Sequence, residues 1–311
     1  MNCARIPEIP LPEGIHFFER GWLSSNNILL LDDTHCVLVD SGYHTHAAQT
    51  FALVNGILQG RPLTAIVNTH LHSDHCGGNA FLQARYPEVQ TWIPPGHIAY
   101  VQHWDPIRLG YQGTGQHCPM FTANAALTVG QSIEIAGNSW LMYAAAGHDP
   151  HSFILFSKET GICITADALW ENGFGVVFPE IEGEEGFEDV GLTLDLIESL
   201  QPTLIFPGHG APFTDISGAL IRARDRLARF TRAPTKHSLY AAKVLVKFKL
   251  LEFQQISVED FHKWASTATH LHTIHQIYFG DRAFAPWFAF ICDDLVRSGA
   301  ARVESGHFLN A

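Results

Sequence analysis

The chain has 311 residues, 46% hydrophobic and 16% charged, which is enough apolar material for a sizeable core and excludes disorder as its main state. Nineteen basic residues against 31 acidic ones leave a formal net charge of −12, which disfavours nucleic-acid binding by the chain as a whole. No run of 18 apolar residues occurs, so no membrane span is predicted.

Residues 1–14 lack an apolar signal core and predict no export signal. Six dispersed cysteines fit reduced thiols and a cytoplasmic location better than a disulfide framework. Residues 27–31 and 36–40 read as strands separated by the turn signal Asp32-Asp33, 45–58 as a helix and 65–68 as a short buried strand. A helix is predicted near 79–86. Strands follow at 132–135, 140–144, 153–156 and 162–165, then a helix at 190–200 and a strand at 204–206. Beyond 216 the pattern changes to helices at 217–232, 238–254, 257–266 and 284–297. A terminal hairpin pattern then flanks Glu304-Ser305-Gly306. Charge shifts at the same place: residues 1–216 are net −17 and residues 217–311 net +5. Two domains are therefore predicted, 1–216 of α+β type and 217–311 as a helical, winged-helix-like module.

Histidine is unusually frequent, at 19 residues, as many as lysine and arginine together. The informative stretch is Thr69-His70-Leu71-His72-Ser73-Asp74-His75, directly after the strand at 65–68. In extended chain His70 and His72 point to one side, and Asp74 and His75 enter the following turn. Gly77 and Gly78 are read as allowing the sharp bend into the next helix. Four potential ligands within six residues cannot complete two metal sites, since each zinc takes about three protein ligands and an open position. The remaining candidates, His148, Asp167 and His209, each follow a different apolar strand.

These residues resemble the metallo-β-lactamase-fold hydrolase superfamily: the 69–75 motif, Gly147-His148, Asp167 in Thr-Ala-Asp-Ala, His209 in Pro-Gly-His-Gly, and the early turn Asp40-Ser41-Gly42. The resemblance spans roughly residues 15–215. It implies an αββα sandwich with two divalent metals at one edge. It implies that His70, His72 and His148 hold one metal, that Asp74, His75 and His209 hold the other, and that Asp167 bridges them. Asp167 is similar to the bridging residue of the glyoxalase II, thioesterase, lactonase, phosphodiesterase and nuclease branches. True zinc β-lactamases have other residues there, so lactamase activity ranks low. Zinc is the first expectation for the metal; iron and manganese suit the same ligands.

A water shared by two such cations deprotonates near neutral pH and serves as nucleophile, with Asp74 and Asp167 as the catalytic carboxylates. The expected activity is hydrolysis of a small ester, thioester or lactone. A phosphodiesterase or nuclease and a non-catalytic metal-binding protein are the alternatives. Asp40 and His151 are candidates for orienting ligands. Cys76 reads as a packed residue, and His270, His272 and His275 as ordinary helix positions. Tyr43, Trp170 and residues 108–111 are candidates for the pocket wall, and the acidic stretch 180–189 for a solvated loop. The partner expected is a small molecule, without nucleic acid or membrane. The basic residues at 222–249, with Arg222, Arg226 and Arg229 on one helix face, are expected to pack near the acidic part of the chain or of a second subunit in a homodimer.

Overall fold

The computed structural model describes residues 10–135 and 137–311. In chain order the first half gives β1 (Ile15–Phe18), β2 (Asn27–Leu31), β3 (Cys36–Val39), α1 (Ala47–Leu58), β4 (Ala65–Val67), α2 (Ser73–Cys76) and α3 (Asn79–Arg85). It continues with β5 (Gln90–Ile93), α4 (Ile98–Gln102), α5 (Tyr111–Thr114) and β6 (Ala125–Ala126). Then come β7 (Ser132–Ile135), β8 (Asn138–Ala144), β9 (Phe153–Ser157), β10 (Ile162–Ala166), α6 (Phe178–Glu182), α7 (Phe187–Leu200), β11 (Leu204–Pro207) and α8 (Ile216–Arg232). The C-terminal part holds α9 (Pro234–Phe253), β12 (Gln255–Ser257), α10 (Val258–Ala265), α11 (Thr269–Tyr278), α12 (Phe284–Arg297), β13 (Ala301–Glu304) and β14 (His307–Asn310).

Two sheets face each other. One runs β1-β2-β3-β4-β5-β6 and the other β11-β10-β9-β8-β7. Their strands read as near-continuous apolar runs because both faces are buried. Along β2, Ile28 and Leu30 enter the core between the sheets, while Leu29 packs outward against Val54 and Leu58 of α1 and Leu82 of α3. Along β10, Ile162 and Ile164 point inward and Cys163 outward, against Leu194 and Ile197 of α7. Alternation with period two thus sorts each strand between a central core and a helix layer, giving the expected αββα sandwich. The five described cysteines, Cys36, Cys76, Cys118, Cys163 and Cys292, are buried and free; Cys3 lies outside the described residues. Among the described residues no helix is long and apolar enough to cross a membrane.

Helix α8, which charge groups with the second part, packs Ala219, Leu220 and Ala223 into the outer core of the second sheet. Three of its arginines face the same chain, while Arg229 is exposed. Arg224 reaches Asp195 and Glu198 on α7, and Arg222 and Arg226 donate to the carbonyls of Glu171 and Asn172. The remaining helices enclose a separate core around Leu245, Phe261, Trp287, Phe288 and Ile291, joined by Val176 and Ile181 from the first part. The C-terminal hairpin forms as β13 and β14, and β12 adds a third strand in the order β12-β14-β13.

One buried contact ties α9 to the sandwich. The Val177 N–H donates to His237 Nε2 at 3.0 Å, so the ring must stay neutral to accept it. Burial, aided by nearby Arg226, holds the His237 pKa down at about 4, against 6.5 for the free side chain. The unfolded chain therefore binds this proton more readily than the folded one. The stabilisation is complete above about pH 6.5 and is lost as pH falls toward 4, with a size on the order of 3 kcal/mol. Urea unfolding at about pH 7, 5.5 and 4.5 should show a smaller loss of stability on acidification in His237→Gln than in the parent protein. Equal slopes would reject the assignment.

Candidate metal centre

The seven histidines and aspartates named from the sequence converge where β4, β8, β10 and β11 end. β4 runs out at Val67, and the chain turns through His70 and His72 into the single turn α2, which carries Asp74 and His75. His148 follows β8, Asp167 caps β10 and His209 follows β11. Gly77 and Gly78 have ordinary right-handed helical backbone, so the bend does not require their φ freedom. They are glycine because a Cβ would meet the Ser73 carbonyl at 2.5 Å and the Ser41 carbonyl at 2.4 Å, where α2 crosses the loop after β3.

Three overlapping groups result: His70, His72 and His148; His70, His75 and Asp167; Asp74, His75 and His209. In each, the candidate ligand atoms lie within 4.8 Å of one another. His72 Nδ1 is 2.8 Å from His148 Nε2, and His209 Nε2 is 3.1 Å from Asp74 Oδ2. Asp167 stands between the two sets. Its Oδ2 is 3.5 Å from His148 Nε2, and its Oδ1 is 3.4 Å from His75 Nε2 and 3.8 Å from His209 Nε2.

The donor set fits divalent cations. His70 Nε2 and His75 Nε2 are buried without a hydrogen-bond partner, a costly state for isolated polar atoms and a normal one for ligands. Burial lowers His70 well below the usual histidine value and His72 to about 3, with neighbouring rings adding to it, so both keep a free lone pair. Burial also acts to lower His75, but the carboxylates of Asp40, Asp167 and Asp74 outweigh it and hold that ring well above its usual value. Three buried carboxylates around one imidazole call for positive charge. A proton on His75 supplies it in the bare protein, and a metal ion would supply it there instead.

Asp40 orients this arrangement, as expected. Its Oδ2 is 2.7 Å from His75 Nδ1 and accepts from Thr69 Oγ1 at 2.8 Å, and its Oδ1 accepts the Thr69 N–H at 2.9 Å. The residue sits at φ 57°, outside strand geometry, which ends β3 at Val39 and turns the carboxylate under the motif. Gly208 is required by space: a Cβ there would lie 2.2 Å from Asp167 Oδ1. A seam of buried polar residues after β1 clamps two ligand loops. Ser25 N–H donates to the Asp74 carbonyl, Asn26 N–H to that of Gly208, and the Asn26 amide to Pro207 and Gly210.

Other expectations resolve differently. His151 does not orient a ligand; its ring packs edge-on against His97 and over Gly96. The neighbouring Asp149 takes the inner place instead, with Oδ2 3.8 Å from His72 Nε2, and sequence reasoning did not single it out for that role. Trp22 was also missed. It stacks on His209 at 5.2 Å between ring centroids, at an angle of 8°. Neither had a local signal, since Trp22 meets His209 only through the tertiary fold. Trp170, whose indole N–H donates to Asp167 Oδ1, and Arg108 to Tyr111 do line the cavity beside the ligands, whereas Tyr43 is buried edge-on to Phe248. His270, His272 and His275 reach three separate partners: Glu182, the Ser266 carbonyl and the Arg282 carbonyl. Cys76 is packed beside Tyr111 and Cys118. The acidic stretch is only partly solvated, because Glu180 caps α7 through the amides of Gly186 and Phe187.

Comparison with known proteins places this centre. The chain is 29% identical over 156 residues to a hydroxyacylglutathione hydrolase of Yersinia enterocolitica, covering 49% of this chain and 51% of that protein, about half its length. It is 23% identical over 241 residues to the atrochrysone carboxyl ACP thioesterase of Aspergillus fumigatus, covering 76% of this chain and 64% of the other. A metallo-beta-lactamase family protein of Thermus thermophilus superposes with a TM-score of 0.58 at 17% identity over 97% of this chain and all of that one, so the likeness of fold extends through the C-terminal part. The family model described as the metallo-beta-lactamase superfamily matches residues 20–209, a span that holds all seven clustered residues, and the chain belongs to that superfamily.

Proposed function

We propose that this protein is a metal-dependent hydrolase that opens a small ester, thioester or lactone. The observation that carries the reading is Asp167, whose two oxygens face His148 on one side and His75 and His209 on the other. His70, His72 and His148 would hold one divalent cation, and Asp74, His75 and His209 a second, with Asp167 shared. When bound, two such cations supply Lewis acidity and a water acidic enough to attack at neutral pH. The chain's own residues do the rest. Asp40 fixes the His75 ring, the Val176 carbonyl accepts from His148 Nδ1, and Trp22 covers the outer side of His209. The relatives named as a thioesterase and as hydroxyacylglutathione hydrolases support the reaction class, and zinc is the metal the all-nitrogen-and-oxygen ligand set suits first.

A phosphodiesterase would need cations to meet its substrate. Among the described residues that line the cavity Arg108 is the sole arginine or lysine, and Arg222, Arg224 and Arg226 are engaged within the chain. Elemental analysis of protein purified without chelator should find about two divalent ions per chain. A panel of chromogenic esters, thioesters, lactones and bis-p-nitrophenyl phosphate should show carboxylic substrates cleaved and the phosphodiester spared. Metal content near zero, with no activity restored by zinc, iron or manganese, would refute the proposal.

A further inference from the structure

The cavity beside the ligand cluster measures about 320 Å³, within the range of small-molecule sites. Part of its wall is supplied by α9. Tyr240, Val244 and Phe248, spaced four apart, form one stripe along that helix, and Leu245 lies beside them. Val176 and Phe178, from the loop that His237 holds to α9, continue the same apolar surface up to the His72 ring, whose centroid is 4.4 Å from that of Phe178. Among the described lining residues other than the clustered ligands, Asp149, Glu184 and Glu182, the last paired with His270, stand against Arg108. The cavity therefore offers an apolar slot that opens on the ligand cluster, set in an acidic surround.

We propose that this slot selects a medium-length alkyl or aryl acyl group, and that the preferred substrate carries it on a neutral leaving group. The assignment rests on the hydrolase reading above and narrows it. An acyl chain laid along Tyr240, Val244 and Phe248 would share the cavity with His72, His148 and Asp167, which line it too. Each buried methylene is worth about fourfold in binding, equivalent to about 0.8 kcal/mol. Leaving groups rich in phosphate or carboxylate would meet Glu184 and the His270-paired Glu182, with Arg108 as the sole arginine or lysine among the described lining residues to offset them. The C-terminal part is then the specificity element of the enzyme, with α9 as its reading face.

The test uses metal-loaded full-length protein and N-acetylcysteamine thioesters of acetate, butyrate, hexanoate and octanoate, with the matching coenzyme A thioesters as anionic counterparts. The expected result is a kcat/KM that rises about fourfold per methylene until the slot fills, and at least tenfold higher values for the cysteamine series than for coenzyme A. Val244→Phe, which narrows the slot, should lower the octanoate-to-acetate ratio at least tenfold, and Val244→Asp should flatten the series. Thermal unfolding confirms that both variants fold. A second readout needs no turnover: octanamide should alter tryptophan fluorescence at lower concentration than acetamide, through Trp22 and Trp170. Rates independent of chain length, or equal for both leaving groups, would overturn the slot while leaving the hydrolase standing. Failure to cleave any thioester, ester or lactone would overturn the hydrolase reading and the slot with it.

Discussion

Asp167→Ala is expected to lower hydrolysis by on the order of 1,000-fold, the rate equivalent of the several kcal/mol that shared metal ligation contributes to a transition state. The carboxylate is buried and faces ligand atoms from three strand ends, so its removal parts the two histidine sets. Stability of the bare protein should fall as well. Burial opposes the charge on Asp167, but the rings of His209, His75 and His148 outweigh it and hold that carboxyl well below the usual carboxylate range; relief of its repulsion with Asp74 offsets part of the loss. The measurement is kcat on the best substrate of the panel alongside metal stoichiometry and urea unfolding. An unchanged rate with both metals retained would show that Asp167 bridges nothing.

Asp40→Ala should act mainly on folding, costing about 3–5 kcal/mol of stability, as breaking a buried hydrogen-bonded ion pair does. The variant leaves the Thr69 amide and hydroxyl and the His75 Nδ1 without their acceptor in a site closed to water. Metal affinity should fall as well, by about 10- to 100-fold, the usual consequence of freeing a ligand ring. Asp40→Asn keeps an oxygen for Thr69 and should recover part of the stability and little of the affinity. Denaturant midpoints and zinc competition with a chromophoric chelator separate the two losses. A variant as stable as the parent would mean that the Asp40 contacts contribute no more than water would.

The ligand cluster was legible in the sequence because each member follows an apolar run that ends in a small residue or turn. The strands were legible because 27–31, 36–39 and 162–166 are short, near-continuous apolar runs, and the sandwich followed from the resemblance carried by the ligand motif. What escaped notice depends on contacts between distant segments. β12 is three residues long and exists only because β14 offers it a partner. Asp149 and Trp22 gain their places from rings contributed by other loops. The grouping of α8 with the C-terminal part followed charge, whereas packing follows Ala219, Leu220 and Ala223, and its arginines Arg222, Arg224 and Arg226 reach carboxylates and carbonyls of the sandwich.

The separation of the ligands along the chain also bears on the order in which the molecule assembles. Asp74 and His209 touch across 135 residues, and the first follows a strand of one sheet and the second a strand of the other. Such a contact forms only after both sheets exist and have docked, when most loop-closure entropy has already been spent. The centre is thus a product of folding and no part of its nucleus. Added zinc should leave the refolding limb of a chevron plot in place and displace only the unfolding limb, so that the metal prolongs the life of the native state without hastening its formation.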